Sequence, residues 1–267
     1  MIFKRKLLYI LISLSLLIPF KTYAYSKYLI PGGENIGIKV SSDGVYVVGF
    51  YKVNNQNIAE EAGFKLGDRI VSINDYEVSD VNDLIDKIDS HDNNLKIKYG
   101  FIRNDKLNYI TMDLKKDQLG TYKTGLYVKD SIVGIGTLTY IDPVNNTYGA
   151  LGHEIIETSS EKKFDIKDGF IYSSNITSIN KAEVGNPGEK NANINYRDIY
   201  GNVSYNMETG IFGKLNKEIS KDSVLEVASL DEVEIGKAEI ITVLNDYQKE
   251  SFDVEILSID KKNPTKN

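Results

Sequence analysis

A chain of 267 residues with 41% apolar and 26% charged residues has ordinary globular composition, and its length suits one large or two modest domains. A net charge of −6 repels phosphate backbones and argues against nucleic acid as a partner. Cysteine is absent and histidine occurs twice, which excludes disulfides, thiol nucleophiles and thiolate metal sites, so no metal and no cofactor is expected.

The N-terminus carries an address. Lys4, Arg5 and Lys6 precede an apolar run over residues 7–20, and a small-residue exit ends at Ala24. That run is shorter than a membrane span and contains Pro19. Residues 1–24 therefore read as a secretory signal or a short uncleaved membrane anchor. In either case the rest of the chain is expected to work outside the cytoplasmic face of a membrane, with membrane attachment through the N-terminus in the second case.

From residue 25 onward, strands punctuated by glycine take over. Residues 31–40 and 45–51 read as strand, 59–62 as a helical turn ended by Gly63, and Ile70, Val71 and Ile73 as a further strand. Ser79 is a plausible N-cap, with Asp80 and Asp83 in the first turn where the helix dipole favours negative charge. Val81, Leu84, Ile85 and Ile88 then recur at helical spacing. His91, just past that helix, is expected to face solvent or the helix C-terminus. Two alternating tracts follow, one through Leu95, Ile97, Tyr99 and Phe101, the other through Ile110, Met112 and Leu114.

This order of elements, with the tract "AEEAGFKLGDRIVSIND", resembles a PDZ domain. The resemblance implies a domain over residues 25–117 that binds peptide or protein C-termini. In that family a peptide adds as a strand beside the second strand, here residues 36–40, and backbone N–H groups of the preceding loop catch its carboxylate. Mapped by motif, the peptide-binding residues are Gly33, Asn35, Ile36, Gly37 and Ile38.

Residues 118–267 lose helical periodicity. A Gly-rich turn is expected at Gly134 and Gly136, then a hairpin with arms at 137–141 and 147–151 around Asp142, Pro143, Val144, Asn145 and Asn146. Further strands are expected at 170–179, 201–205 and 211–215, with a last hairpin around Asn245 and Asp246. Short strands at close spacing suggest a barrel or sandwich.

The tract "DSIVGIGTLTYIDPVNNTYGALGH", with "IPGGENIGIKV", "IYSSNITSINKAEVGNPGE" and "TGIFGKL" in the same order, resembles the stage IV sporulation protein B (SpoIVB) peptidases. The resemblance spans nearly the whole chain. It implies a mainly β fold: a PDZ domain (α+β) followed by a chymotrypsin-like β-barrel peptidase domain whose second barrel is incomplete here. It also implies a serine endopeptidase that cuts a protein substrate in sporulation signalling, exported to the forespore intermembrane space or cell envelope. By motif, His153 of "GALGH" takes the position of the general base.

Two departures qualify the comparison. Glu154 follows the histidine directly and Glu157 lies close beyond, and a carboxylate so near is expected to hold the imidazolium and raise its pKa. The family also places its serine in a G-x-S-G-S-P tract, with the triad aspartate shortly before it. No serine among these 267 residues has a G-x-S-G context, and Ser131 and Ser204 sit in strand text. The chain taken alone is therefore expected to lack nucleophile and triad aspartate and to be inactive. The alternative is a non-catalytic, peptide-binding PDZ pseudoenzyme of the envelope.

Overall fold

A computed structural model of the protein describes residues 26–90, 96–217, 223–229 and 231–260. The leader over residues 1–24 and His91 lie outside the described residues. Strand accounts for 60% and helix for 6%, so the mainly β class stands.

In chain order the elements are β1 (Tyr28–Pro31), β2 (Asn35–Phe50), α1 (Ile58–Ala62), β3 (Arg69–Ile73), β4 (Tyr76–Glu77), α2 (Val81–Asp89), β5 (Lys96–Arg103) and β6 (Lys106–Asp113). Short β7 (Lys115–Lys116) and β8 (Tyr122–Lys123) lead into β9 (Leu126–Asp142) and β10 (Thr147–Ala150). Then come β11 (Ile156–Glu157), β12 (Lys162–Lys163), β13 (Asp168–Asn180), β14 (Glu189–Asn202), β15 (Tyr205–Met207) and β16 (Gly210–Lys214). β17 (Leu225–Glu226), β18 (Gly236–Asn245) and β19 (Gln248–Ile256) complete the described elements.

Local chemistry explains the helices. Gly63 closes α1 at φ 104°, a left-handed conformation that glycine adopts without a Cβ penalty. The N-cap of α2 is Asp80 rather than the expected Ser79: Asp80 is extended and its carboxylate accepts the Asp83 N–H at 2.9 Å. Ser79 instead donates its backbone N–H to the Asp83 carboxylate at 2.8 Å, so one aspartate caps the first turn and the other holds the residue before the cap. Leu84 and Ile88 of the apolar face are buried, whereas Ile85 remains exposed.

Most strands join one large sheet in the order β15-β16-β10-β9-β2-β3-β5-β6, which curls into a half-barrel. Two cores lie along it. Val45, Val47, Phe64, Ile70, Leu84, Tyr99 and Phe101 build the first, against both helices. Ile36, Ile38, Val40, Leu138, Tyr148, Phe164, Ile171 and Ile211 build the second.

β2 serves both cores. Its second half pairs with β3, and its first half enters the second core. Between them the strand bends at Gly44 (φ 94°), whose carbonyl accepts the Ser42 hydroxyl at 2.7 Å. In the other direction, Leu126 of β9 is buried in the first core. The boundary expected at 117/118 is thus crossed by two strands that the modules exchange.

Three further features depart from what the sequence led one to expect. Gly134 and Gly136 do not form a turn; both stand inside β9, opposite Ile38 and Ile36 of β2. β14, rich in asparagine and not expected as a strand over residues 189–200, forms a 14-residue strand against β13. The third concerns the peptide groove. Residues 36–40 are no open edge, because they pair with β9 on one side and with β13 on the other. A strand with both ladders filled has no backbone groups left for an added peptide.

Candidate active site

His153 stands where β10 leaves the sheet. Ala150 is the last residue of β10 paired with β9, opposite Leu138, and the Leu151 N–H then donates to the Thr137 carbonyl at 3.1 Å. Leu151 at φ 76° and Gly152 at φ 90° turn the chain away. For a leucine this left-handed conformation costs roughly 1–2 kcal/mol, so packing must hold it. It does: a Cβ placed on Gly136 would lie 2.3 Å from Leu151 Cδ2, so the leucine side chain occupies the space that this glycine leaves.

The loop beyond is pinned from several sides. Asn206 accepts the Ile155 N–H at 2.8 Å and donates to the carbonyls of Ile155 and Phe164 at 2.9 and 3.0 Å. Phe164 is fully buried and stacks on Tyr46, with ring centroids 5.0 Å apart. Asp165 gives its N–H to the Tyr46 hydroxyl at 3.1 Å and faces Arg69 at 3.5 Å, and Lys167 meets Asp43 at 2.8 Å. The segment carrying His153 is therefore anchored on the first module.

His153 itself is exposed, and its Nδ1 lies 2.9 Å from the main-chain oxygen of Glu154. A carbonyl oxygen only accepts, so Nδ1 carries the proton of the neutral ring and Nε2 keeps its lone pair. That is the tautomer a general base requires. The expected carboxylate partner is not the one used. Glu157 is fully buried and committed elsewhere: it accepts the N–H groups of Ser159 (3.1 Å) and Ser160 (2.8 Å) and pairs with Lys129 at 3.0 Å. Burial alone would push the Glu157 carboxyl up, but those N–H groups and the Lys129 ammonium outweigh it and hold the group below the usual carboxylate range.

The imidazole borders an apolar cavity of about 440 Å³ lined by Ile38, Ile132, Gly134, Ile135, Leu151, Glu154, Ile155 and Ile156. No hydroxyl is among the residues that line it. Ser131 lies on β9 opposite Ser41, and Ser204 borders a different hollow together with Asn206. Neither shares the cavity of His153.

The peptide-binding residues expected from the sequence come together, but as the interior of the fold. Gly33 gives its N–H to the Leu138 carbonyl at 2.7 Å, and Asn35 gives its side-chain amide to Ser174 at 2.9 Å. Ile36 and Ile38 are buried, and a Cβ on Gly37 would collide with Ile194. What the sequence concealed is the surroundings of His153: the Glu154 carbonyl, the Lys129–Glu157 pair, and the β9 residues that wall the cavity.

Comparison with known proteins bears on both halves. No curated protein matches the chain. The family model described as PDZ domain matches residues 35–114, which assigns a peptide- or protein-binding module to the first core and its two helices. The model described as SpoIVB peptidase S55 matches residues 120–267, more than half of the chain, and includes His153 and the whole cavity loop. With that match laid over a free Nε2 at the mouth of an open cavity, the chain belongs to the SpoIVB peptidase S55 family.

Proposed function

We propose that this chain supplies the general-base half of a serine endopeptidase site, with His153 as the base. Its substrate is a polypeptide, it is exported across a membrane by its N-terminal segment, and it serves the sporulation signalling associated with the family. The observation that carries the reading is the hydrogen bond from Nδ1 to the Glu154 carbonyl, which leaves Nε2 free to take a hydroxyl proton. The residues lining the cavity supply no such hydroxyl, so the serine comes from outside the lining described above.

Nitrogen NMR of the histidine ring tests the base. The neutral ring should show a protonated Nδ1 and a bare Nε2; the opposite tautomer would overturn the assignment. A serine-directed phosphonate tests the nucleophile. The 267-residue chain alone should remain unlabelled, and a phosphonate adduct on one of its serines, lost in His153→Ala, would place the nucleophile within it. A peptide-binding protein without catalysis is the competing reading, favoured by the same absence of a lining hydroxyl. It predicts no activation of a serine supplied by a longer family member whose own base is replaced.

A further inference from the structure

Among the described residues, the lane beside β9 is filled along one part of its length and vacant along another. β10 occupies it opposite residues 138–142 and leaves at Leu151. Further back, opposite residues 131–136, the only strand paired with β9 among the described residues is β2, on the other edge.

Hydrogen-bond parity shows what the vacant edge offers. The Leu138 N–H donates to the Glu34 carbonyl at 2.9 Å, toward β2. In an antiparallel ladder alternate residues point the same way, so Gly136, Gly134 and Ile132 also direct their backbone groups at β2. Thr137, Ile135 and Val133 direct theirs outward. The bond from Leu151 N–H to the Thr137 carbonyl confirms that parity. Val133 is 50% exposed, and no backbone partner faces its outer side or that of Ile135 among the described residues.

The vacant lane adjoins the cavity that His153 borders, and Ile132, Gly134 and Ile135 form one wall of it. A Cβ on Gly134 would meet no atom within 4 Å, so this glycine leaves open volume where any other residue would project a side chain. At about 440 Å³ the cavity lies within the size range of ligand pockets, and its walls are chiefly isoleucine and leucine.

We infer that an extended polypeptide docks as a strand on the outer edge of Val133 and Ile135, in line with β10, and seats a leucine-sized aliphatic side chain in the cavity over Gly134. Alternating backbone donors and acceptors select a peptide over a compact ligand, and the apolar walls select the side chain. The proposed function contributes only the substrate class, a polypeptide; the docking does not depend on catalysis. A strand in this lane continues the direction of β10 and brings its own backbone past His153.

The test uses the full chain, labelled with nitrogen-15, and a blocked peptide, acetyl-Lys-Thr-Leu-Thr-Lys-amide. Binding should slow amide exchange at Val133 and Ile135 and leave Gly134, already bonded to β2, unchanged. Replacing the central leucine by aspartate should weaken binding by about tenfold or more, the loss expected when an apolar side chain no longer leaves water. Gly134→Leu fills the cavity and should weaken the leucine peptide similarly with an unchanged unfolding midpoint. Gly134→Ala, which adds a single methyl into open space, provides a second variant should the leucine disturb the fold.

The inference is overturned by equal binding of the two peptides, by protection elsewhere, by absence of binding, or by cavity-filling variants without effect. Protection at Val133 that grows with protein concentration and needs no peptide would make a second copy the occupant, and also overturns it. Protection at Val133 together with the wrong histidine tautomer would sink the catalytic reading and leave the docking edge standing.

Discussion

Glu157→Gln isolates the electrostatic clamp beneath the loop that carries His153. The substitution keeps shape and removes charge from a fully buried carboxylate that accepts two N–H groups and one ammonium. A glutamine oxygen can still accept one of them, while its amide meets donors on the other side. Losing two hydrogen bonds to a charged acceptor would cost about 3–6 kcal/mol. Water already screens part of the Lys129 charge, because that side chain is 32% exposed, which places the expectation at the lower end, about 3–4 kcal/mol. For a protein of this size the midpoint of thermal unfolding should fall by roughly 6–16 °C. The pH dependence identifies the cause. The folded carboxyl is held below its ordinary value, so its contribution is complete above the unfolded value of about 4.3 and is lost as pH falls through the folded one. Urea titrations should show the full gap between the two proteins near neutral pH and a shrinking gap below about pH 4. Equal stability at neutral pH, or a gap that persists undiminished into acid, would refute the clamp.

Other expectations follow from packing. Gly213→Ala would put a Cβ 1.8 Å from the Asn202 carbonyl oxygen, so unfolding by urea should reveal a loss of about 3 kcal/mol or more. Asp68, buried and gripped by Arg103 at 2.5 and 2.6 Å, should cost about 3–5 kcal/mol on replacement by alanine; a loss under about 1 kcal/mol would count against the pair. The Tyr99 hydroxyl is buried without a hydrogen-bond partner among the described residues, so Tyr99→Phe should leave the midpoint unchanged or raise it, and a clear fall would reveal a hidden partner. A fragment of residues 25–130 should be more stable than one of residues 25–117 by about 2 kcal/mol, because only the longer one buries Leu126; equal midpoints would deny the strand exchange.

What the sequence determined by itself is local. The α2 helix was legible from Val81, Leu84 and Ile88 at helical spacing, with error only in which of two adjacent residues caps it. The hairpin between β9 and β10 was legible because Asp142 shapes its own turn, accepting the N–H groups of Val144 and Asn145 at 2.8 and 3.2 Å. The family motifs placed His153 without any geometry. Tertiary structure decided the partners. Residues 36–40 read as strand, but nothing local says that β13, more than a hundred residues later, will close the edge a peptide was expected to use. β14 escaped notice because its alternating Ala192, Ile194, Tyr196 and Tyr200 stand among asparagines and charges, and what they pack on, Gly37, Tyr172 and the second core, is distant in the chain. His153 shows the same division. Glu154 and Glu157 suggested a carboxylate beside the imidazole, yet the fold spends Glu157 on Lys129 and turns a main-chain carbonyl toward Nδ1. Periodicity and turn chemistry act over a few residues and are written in the chain; pairing across a sheet joins distant segments whose complementarity exists only once both are folded.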